Sequence, residues 1–292
     1  MSLVIVVGTA MHRLCILMFA VAGVAAAPGG ELWQPAYCLD FELRGPTSAY
    51  VPQAGDIVIY MYEGDLLWSL GYKAALAGRP DHSGMIVKMP DGTFASLEAG
   101  PDDSLIVQVC SLEKRFHFHH CNRGRVWIRR RKCPLTDEQS CLLTKFAISE
   151  HGKNFSLLRL GQQITPLRPR GPLTSVVGKP RGPHSSYICS EIVVEAGVYA
   201  GIMDRETARP GAIYPEELFF DRSRNRYLDE HFSLACGWEP PARLTFDDCP
   251  CCKARKGGFL RPNPEAIPVH PWIECNGPRK SNYSLRGLLN PT

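Results

Sequence analysis

The chain has 292 residues, of which 45% are hydrophobic and 21% charged, and its formal net charge is +4. These values are ordinary for a globular protein and exclude a wholly disordered chain, a collagen-like chain and a polytopic membrane protein. The small positive charge does not indicate a nucleic-acid partner. The 12 cysteines are more than usual and raise the question of an oxidising compartment.

The N-terminus predicts export. Residues 14–27 form an apolar run that follows the basic pair His12–Arg13 and ends in small residues. This is the layout of a secretory signal peptide, and the run is short for a transmembrane span. We predict a signal peptide over 1–27, with Met11 as a candidate true start, and a periplasmic or secreted protein; an uncleaved leader would act as a membrane anchor. Cleavage removes Cys15 and leaves eleven cysteines, and this odd number predicts at least one thiol outside intramolecular disulfides.

After the leader, apolar runs and turn signals predict an α+β chain. An extended segment punctuated by Pro and Gly (28–53) comes before the first strand. The sequence Pro90-Asp91-Gly92 predicts a hairpin turn, and Thr136 followed by Gln139 is a capping box that predicts a helix start. Strands are predicted at 56–62, 85–89, 93–98, 104–110 and 126–130, and helices at 64–77, 136–151, 187–202 and from Pro215 onward.

Two stretches differ in composition from the rest. Residues 160–186 are rich in Pro, Gly and basic side chains, and predict a long loop within the domain. Residues 236–292 are rich in Cys and Pro and poor in β-branched and aromatic residues, and predict a loosely structured C-terminal extension. The main domain is therefore predicted over 28–235.

Three residues have the character of a thiol-based acyl-transfer site. Cys189 stands at the start of a predicted helix, His82 in the segment that leads into the predicted strand at 85–89, and Glu98 at the end of the next strand. A helix N-terminus stabilises a thiolate, a neighbouring imidazole accepts the thiol proton, and a carboxylate orients the imidazole. The hairpin makes a contact between His82 and Glu98 feasible. Each residue also has a plainer interpretation, as a packed thiol, a satisfied histidine or a solvated carboxylate.

The motifs around these residues resemble the circularly permuted papain-like hydrolases of the YiiX/YaeF type, relatives of the NlpC-type cell-wall peptidases. The motifs are GDIVIY, DHSGMIV, FASLEAG and YICSEIVVEA, and the resemblance covers residues 50–222. In the unpermuted relatives the Cys helix precedes the His strand, whereas here the His strand comes first. The resemblance implies a permuted papain-like fold, in which a small antiparallel sheet packs against helices and the catalytic cysteine begins a helix.

The resemblance also implies roles for these residues. Cys189 would be the nucleophile, His82 the general base and Glu98 the residue that orients the imidazole. The implied reaction cleaves an amide or ester acyl bond of a cell-wall peptide or lipid-type substrate through a thioester, without a cofactor. Tyr187 is a candidate oxyanion or pocket residue, or an anchor of the helix start. Two alternatives stay open: a lecithin:retinol acyltransferase-like acyltransferase or phospholipase, and an inactive ligand-binding domain with Cys189 in a disulfide.

Three other features look like metal or binding sites but have simpler structural interpretations. The cluster Cys249-Pro250-Cys251-Cys252 does not have the spacing of a structural zinc site, so it favours disulfides, and we predict no metal site. The tract HFHHC at 117–121 predicts a solvated loop. The basic runs at 114–132 and 153–181 predict solvated surfaces, with an anionic cell-wall or membrane surface as the alternative.

Overall fold

The structure is a computed structural model that describes residues 30–33, 47–61, 79–100, 104–121, 124–162, 165, 174–222 and 233–246. The predicted signal peptide, the predicted helix at 64–77 and the cysteine cluster at 249–252 lie outside these residues. In the part of the chain that is described, no helix combines the length and the apolar character needed to cross a membrane.

Ten strands form two sheets in the described residues: β1 (Gly30–Trp33), β2 (Thr47–Ala49), β3 (Ile57–Met61), β4 (His82–Lys88), β5 (Phe94–Ala99), β6 (Val107–Ser111), β7 (Arg125–Arg129), β8 (Asn154–Phe155), β9 (Ser186–Tyr187) and β10 (Ala242–Phe246). The main sheet has the order β2-β1-β10-β7-β3-β4-β5-β6 and is antiparallel throughout. The small second sheet pairs β8 and β9 in parallel.

The described residues form six α-helices. They are α1 (Leu112–Cys121), α2 (Asp137–Glu150), α3 (Leu157–Gln162), α4 (Thr174–Val177), α5 (Cys189–Tyr199) and α6 (Pro215–Phe220). The helices α2 and α5 pack against β4, and α1 packs against β5, β6 and β7. All five residues of β3 (IVIYM) are buried, although their side chains alternate between the two faces. Both faces of the sheet centre are therefore covered.

The predicted α+β class and antiparallel sheet are confirmed. The five predicted strands correspond to β3, β4, β5, β6 and β7, with ends that differ by a few residues. The predicted capping box is present at the start of α2: the Thr136 hydroxyl accepts from the Gln139 N–H, and the Gln139 side chain accepts from the Thr136 N–H, each at 3.2 Å. The sheet has eight strands and is larger than predicted.

The segment after residue 236 contributes a strand to the main sheet. We predicted a loosely structured extension here, but β10 lies between β1 and β7, away from the sheet edge. Ala242 and Leu244 are buried, whereas Arg243 between them is partly exposed. This is the alternation of a half-buried strand. The prediction was wrong for these residues because the average composition of the tail concealed a short alternating segment.

The predicted solvated loop at 117–121 is also wrong. These residues end helix α1, and His119 is completely buried. The surrounding basic run at 114–132 is only partly a solvated surface, since Arg115, Arg125 and Arg129 are all buried. Arg115 and His119 are four residues apart, so they lie on the same side of the helix.

Candidate functional site

Polar side chains meet where β4 begins and β5 ends. In the antiparallel register Tyr60 lies opposite His82 and Gly84 lies opposite Glu98, so these residues share one face of the sheet. His82 Nε2 lies 3.0 Å from Glu98 Oε2, and both side chains are almost completely buried. The structure therefore brings together two of the three residues that the sequence indicates for catalysis.

The carboxylate of Glu98 accepts hydrogen bonds on both oxygens. Oε1 accepts from the hydroxyl of Tyr60 at 2.7 Å and from the hydroxyl of Ser96 at 2.5 Å. Oε2 lies 2.8 Å from Nε and 2.6 Å from Nη2 of Arg115, in addition to its contact with His82. A buried carboxylate with this many donors is held in one position.

Burial and the charge of Arg115 act on Glu98 in opposite directions. Burial by itself raises the pKa of the carboxyl group, but the guanidinium of Arg115 and the hydrogen bond from His82 lower it, and the resulting pKa is well below its ordinary value. Glu98 is therefore an anion at neutral pH. Burial, followed by the effect of the Glu98 charge, raises the pKa of Tyr60, so its hydroxyl remains a donor.

A second histidine lies against this group. The ring of His119 stacks on the ring of Tyr60, with centroids 3.8 Å apart. Burial and the nearby Arg115 charge both lower the pKa of His119 well below its ordinary value. His119 is therefore a neutral ring at neutral pH, and it packs against Tyr60, which donates to Glu98.

Cys189 is the first residue of α5, as the sequence predicts. Its sulfur lies 4.0 Å from the main-chain oxygen of Asp81, the residue before His82, and α5 packs against β4 and β5. The thiol thus lies next to the start of the strand that carries His82. Cys189 has 1% of its surface exposed, and its side chain is a thiol rather than half of a disulfide.

Ion pairs hold the first turn of α5. The Glu191 Oε2 atom accepts from the Ile188 N–H at 3.2 Å, while Oε1 pairs with Arg159, with Arg181 at 2.9 Å and with His184 at 3.4 Å. Burial raises the pKa of Glu191, but the hydrogen bond from His184 and the Arg159 charge outweigh it, and the pKa is lowered. The carboxylate therefore ties α3 and the segment around Arg181 to the helix that begins with the thiol.

The described residues of the predicted loop at 160–186 include regular secondary structure. It contains the end of α3, the short helix α4 and the first residue of β9. Glu195 of α5 accepts from the main-chain N–H of Arg181 at 2.8 Å and of Gly182 at 3.0 Å. The C-terminal part of this basic stretch is therefore bound to α5 instead of forming only a solvated surface.

Tyr187 occupies an anchoring position. Its hydroxyl donates to the Glu150 carboxylate of α2 and accepts from the main-chain N–H of His184 at 2.9 Å. Its ring packs edge-on against Phe146 of the same helix, with centroids 6.4 Å apart. These contacts agree with the helix-anchor alternative, and we assign Tyr187 no place in an acyl pocket.

Four side chains of this site were missed from the sequence: Tyr60, Ser96, Arg115 and His119. Ser96 was detectable, because it precedes Glu98 by two residues and so shares its face of the strand. Arg115 and His119 have the four-residue spacing of one helix face, but we interpreted the second half of this helix as a loop.

The described residues contain no group of three or more His, Cys, Asp or Glu side chains placed to hold a metal ion. The exposed thiols there are Cys133, Cys141 and Cys236. The predicted disulfides of the cluster at 249–252 concern residues outside the described ranges.

No protein-family model matches the chain, and no curated protein matches it. Among solved structures, the chain is similar to the crystal structure titled metalloprotein YiiX from Escherichia coli O157:H7, DUF1105. The identity is 20%, the TM-score is 0.36, and the similarity covers 52% of this chain and 67% of that chain. The relation to YiiX is therefore distant.

Proposed function

We propose that this chain is a cysteine-dependent hydrolase that cleaves an amide or ester acyl bond through a thioester on Cys189. His82 is the general base, and Glu98 orients its ring. The observation that supports this assignment is the buried bond of 3.0 Å between His82 Nε2 and Glu98 Oε2, beside a helix whose first residue is the thiol. The fold expected for this chemistry is the permuted papain-like arrangement that the sequence motifs resemble.

In this proposal the two ring nitrogens of His82 have different tasks. Because Nε2 contacts Glu98, Nδ1 is the nitrogen that takes the proton from the Cys189 thiol. The thiolate then attacks the acyl carbonyl, and the N–H of Cys189 at the start of α5 is a candidate donor to the oxyanion. His82 returns its proton to the departing amine or alkoxide. Water then loses a proton to Nδ1, attacks the thioester, and restores the thiol.

Transfer to an acceptor other than water is the second candidate activity. With 1% of its surface exposed, Cys189 is shielded from bulk water. A thioester in a dry site survives longer and can pass its acyl group to an alcohol or amine. The same three residues would serve both reactions, so the fate of the acyl group distinguishes them.

The remaining parts of the proposal concern the surroundings of the enzyme. The substrate is a peptide-type or lipid-type acyl compound, and the predicted signal peptide directs the chain to the periplasm or outside the cell. The basic segments, where they are solvated, favour an anionic cell-wall or membrane surface over nucleic acid.

Reaction with p-nitrophenyl butyrate tests the proposal. We expect release of p-nitrophenolate and a butyryl group on Cys189, located by peptide mass spectrometry, and loss of both in Cys189→Ala. The control Cys141→Ala removes an exposed thiol of α2 and leaves both unchanged. Unchanged turnover in Cys189→Ala would refute the proposal, and acylation confined to other cysteines would favour a ligand-binding domain. Formation of butyryl-glycerol when glycerol is added would identify an acyltransferase.

A further inference from the structure

We propose that Arg115 is a positioning residue that controls the tautomer of His82. Acting through Glu98, it determines which of the two ring nitrogens of His82 carries the hydrogen. The inference rests on the proposed function, in which His82 has to accept a proton from Cys189. Arg115 comes from α1, outside the hairpin that carries His82 and Glu98, and no sequence motif connects it to them.

The two oxygens of Glu98 have different partners. Oε1 accepts only from hydroxyl groups, those of Tyr60 and Ser96, among the contacts described. Oε2 is shared by Arg115 and the Nε2 atom of His82. The guanidinium of Arg115 and the imidazole of His82 therefore contact the same oxygen atom. Whether this oxygen is ionised or protonated decides whether Nε2 of His82 donates or accepts the hydrogen bond.

Arg115 supplies the charge that balances the carboxylate. The groups that face Glu98 are Tyr60 from β3, His82 from β4 and Ser96 from β5, together with Arg115 and His119 from α1. Among these, arginine alone is permanently charged. Burial opposes an ionised Glu98, and the charge of Arg115 is the main influence that offsets it.

Loss of the Arg115 charge would reverse the hydrogen bond between Glu98 and His82. A buried carboxyl group without its cation takes a proton from water, and its O–H then donates to Nε2 of His82. Nε2 becomes an acceptor, and the single hydrogen of the neutral ring moves to Nδ1. A ring in this tautomer cannot take the thiol proton at Nδ1. Arg115 thus controls a proton transfer through the ionisation of Glu98.

The ¹⁵N spectrum of histidine-labelled protein reports the tautomer directly, and His82→Gln identifies the signals of His82. At pH 7 we expect the Nε2–H form in wild type and in Arg115→Lys, and the Nδ1–H form in Arg115→Gln. The double variant Arg115→Gln/Glu98→Gln restores the Nε2–H form, because an amide oxygen accepts from Nε2 and is not protonated at this pH. A merely structural role for Arg115 would give no such rescue.

Acylation of Cys189 by p-nitrophenyl butyrate should follow the tautomer. We expect a loss on the order of 10²- to 10⁴-fold in Arg115→Gln at pH 7, which is the range for a general base that is lost or held in the wrong tautomer. The double variant should recover part of this rate. The matched control is Arg129→Gln, which removes a buried guanidinium that bonds the main-chain oxygen of Phe219 at 2.7 Å, and it should leave the tautomer of His82 unchanged.

The two readouts separate failure of this inference from failure of the proposed function. A folded Arg115→Gln protein that keeps the Nε2–H form from pH 5 to pH 8 would overturn the role of Arg115, whatever its activity. Absence of acylation at Cys189 in wild type, with the expected tautomers, would overturn only the proposed reaction. If Arg115→Gln does not fold, Arg115→Met, an uncharged side chain of similar length, decides: the Nδ1–H form at pH 7 is expected, and a folded variant that keeps the Nε2–H form would contradict the inference.

Discussion

Gly84 and Glu98 face each other across β4 and β5 with no room for another carbon atom between them. A Cβ atom at position 84 would lie 2.6 Å from Glu98 Cγ, and 3.0 Å from both the Leu97 main-chain oxygen and the Ser96 hydroxyl. Glu98 is paired with Gly84 but bonds His82, two residues earlier on β4. The Glu98 side chain therefore passes across position 84. It can reach His82 because Gly84 has no side chain in the way.

The first prediction concerns this close approach. Gly84→Ala should destabilise the protein by about 1–3 kcal/mol, the usual cost of overpacking a filled core, and should lower the acylation rate of Cys189 because Glu98 is displaced from His82. Urea unfolding measures the first effect and p-nitrophenyl butyrate the second. The control is Gly161→Ala in α3, where an added Cβ meets nothing within 4 Å. Equal stability of the two variants would contradict the packing argument.

The second prediction concerns the buried pair of Glu98 and Arg115. Glu98→Gln keeps the shape of the side chain but leaves the guanidinium without its counter-charge, so we expect a loss of about 3–5 kcal/mol in the free energy of unfolding. Arg115→Gln/Glu98→Gln removes both charges and should lose less than the two single variants combined. Urea unfolding of the four proteins gives the coupling, and additive losses would show that the pair is not coupled.

The third prediction follows from the direction of the Glu98 pKa shift. Since the folded-state pKa lies well below the ordinary value of 4.5, the carboxylate contributes stability that is fully present above about pH 4.5. This contribution is lost as the pH falls through the folded-state pKa. The difference in stability between wild type and Glu98→Gln should therefore be constant from pH 6 to pH 8 and shrink in acid. A difference in stability that grows on acidification would mean that folding raises the pKa of Glu98 instead of lowering it.

The fourth prediction uses Asp56, which is completely buried before β3. Burial raises its pKa to about 7, although the Tyr50 hydroxyl and the main-chain N–H groups of Gln53 and Arg131 donate to it. The folded state therefore holds a proton that the unfolded state loses near pH 4, and stability decreases as the pH rises from about 4 to about 7.

The slope that Asp56 contributes should be about 1.4 kcal/mol per pH unit at most. Asp56→Asn has no titrating group at this position, so its stability should decrease less than that of wild type over the same interval. Thermal unfolding at a series of pH values measures the difference. Parallel curves for the two proteins would show that Asp56 does not carry this dependence.

The fifth prediction concerns access to the thiol. Cys133, Cys141 and Cys236 are exposed, whereas Cys189 is buried. Fluorescein maleimide should therefore label the three exposed cysteines and spare Cys189 in the folded protein, while the small reagent iodoacetamide also reaches Cys189. Peptide mass spectrometry locates each label. Rapid labelling of Cys189 by the bulky reagent would show that the site opens widely in solution.

The sequence alone determined those features that depend on neighbouring residues. The apolar runs determined β3 and β7, the Pro90-Asp91-Gly92 turn determined the hairpin of β4 and β5, and Thr136 with Gln139 determined the start of α2. The hairpin in turn predicted the contact between His82 and Glu98, since strand register is set locally by the turn. The position of Cys189 at a helix start followed from the same kind of signal.

Only the tertiary structure decided the features that depend on distant partners. The sequence around Arg115 and His119 suits a solvated segment equally well. In the fold these residues are buried because Arg115 pairs with Glu98 and His119 stacks on Tyr60. The strand β10 exists because β1 and β7 provide hydrogen-bond partners on both sides. Burying a charge or a short strand is favourable only when its partner is present, and the position of that partner is set by the fold rather than by the residues nearby.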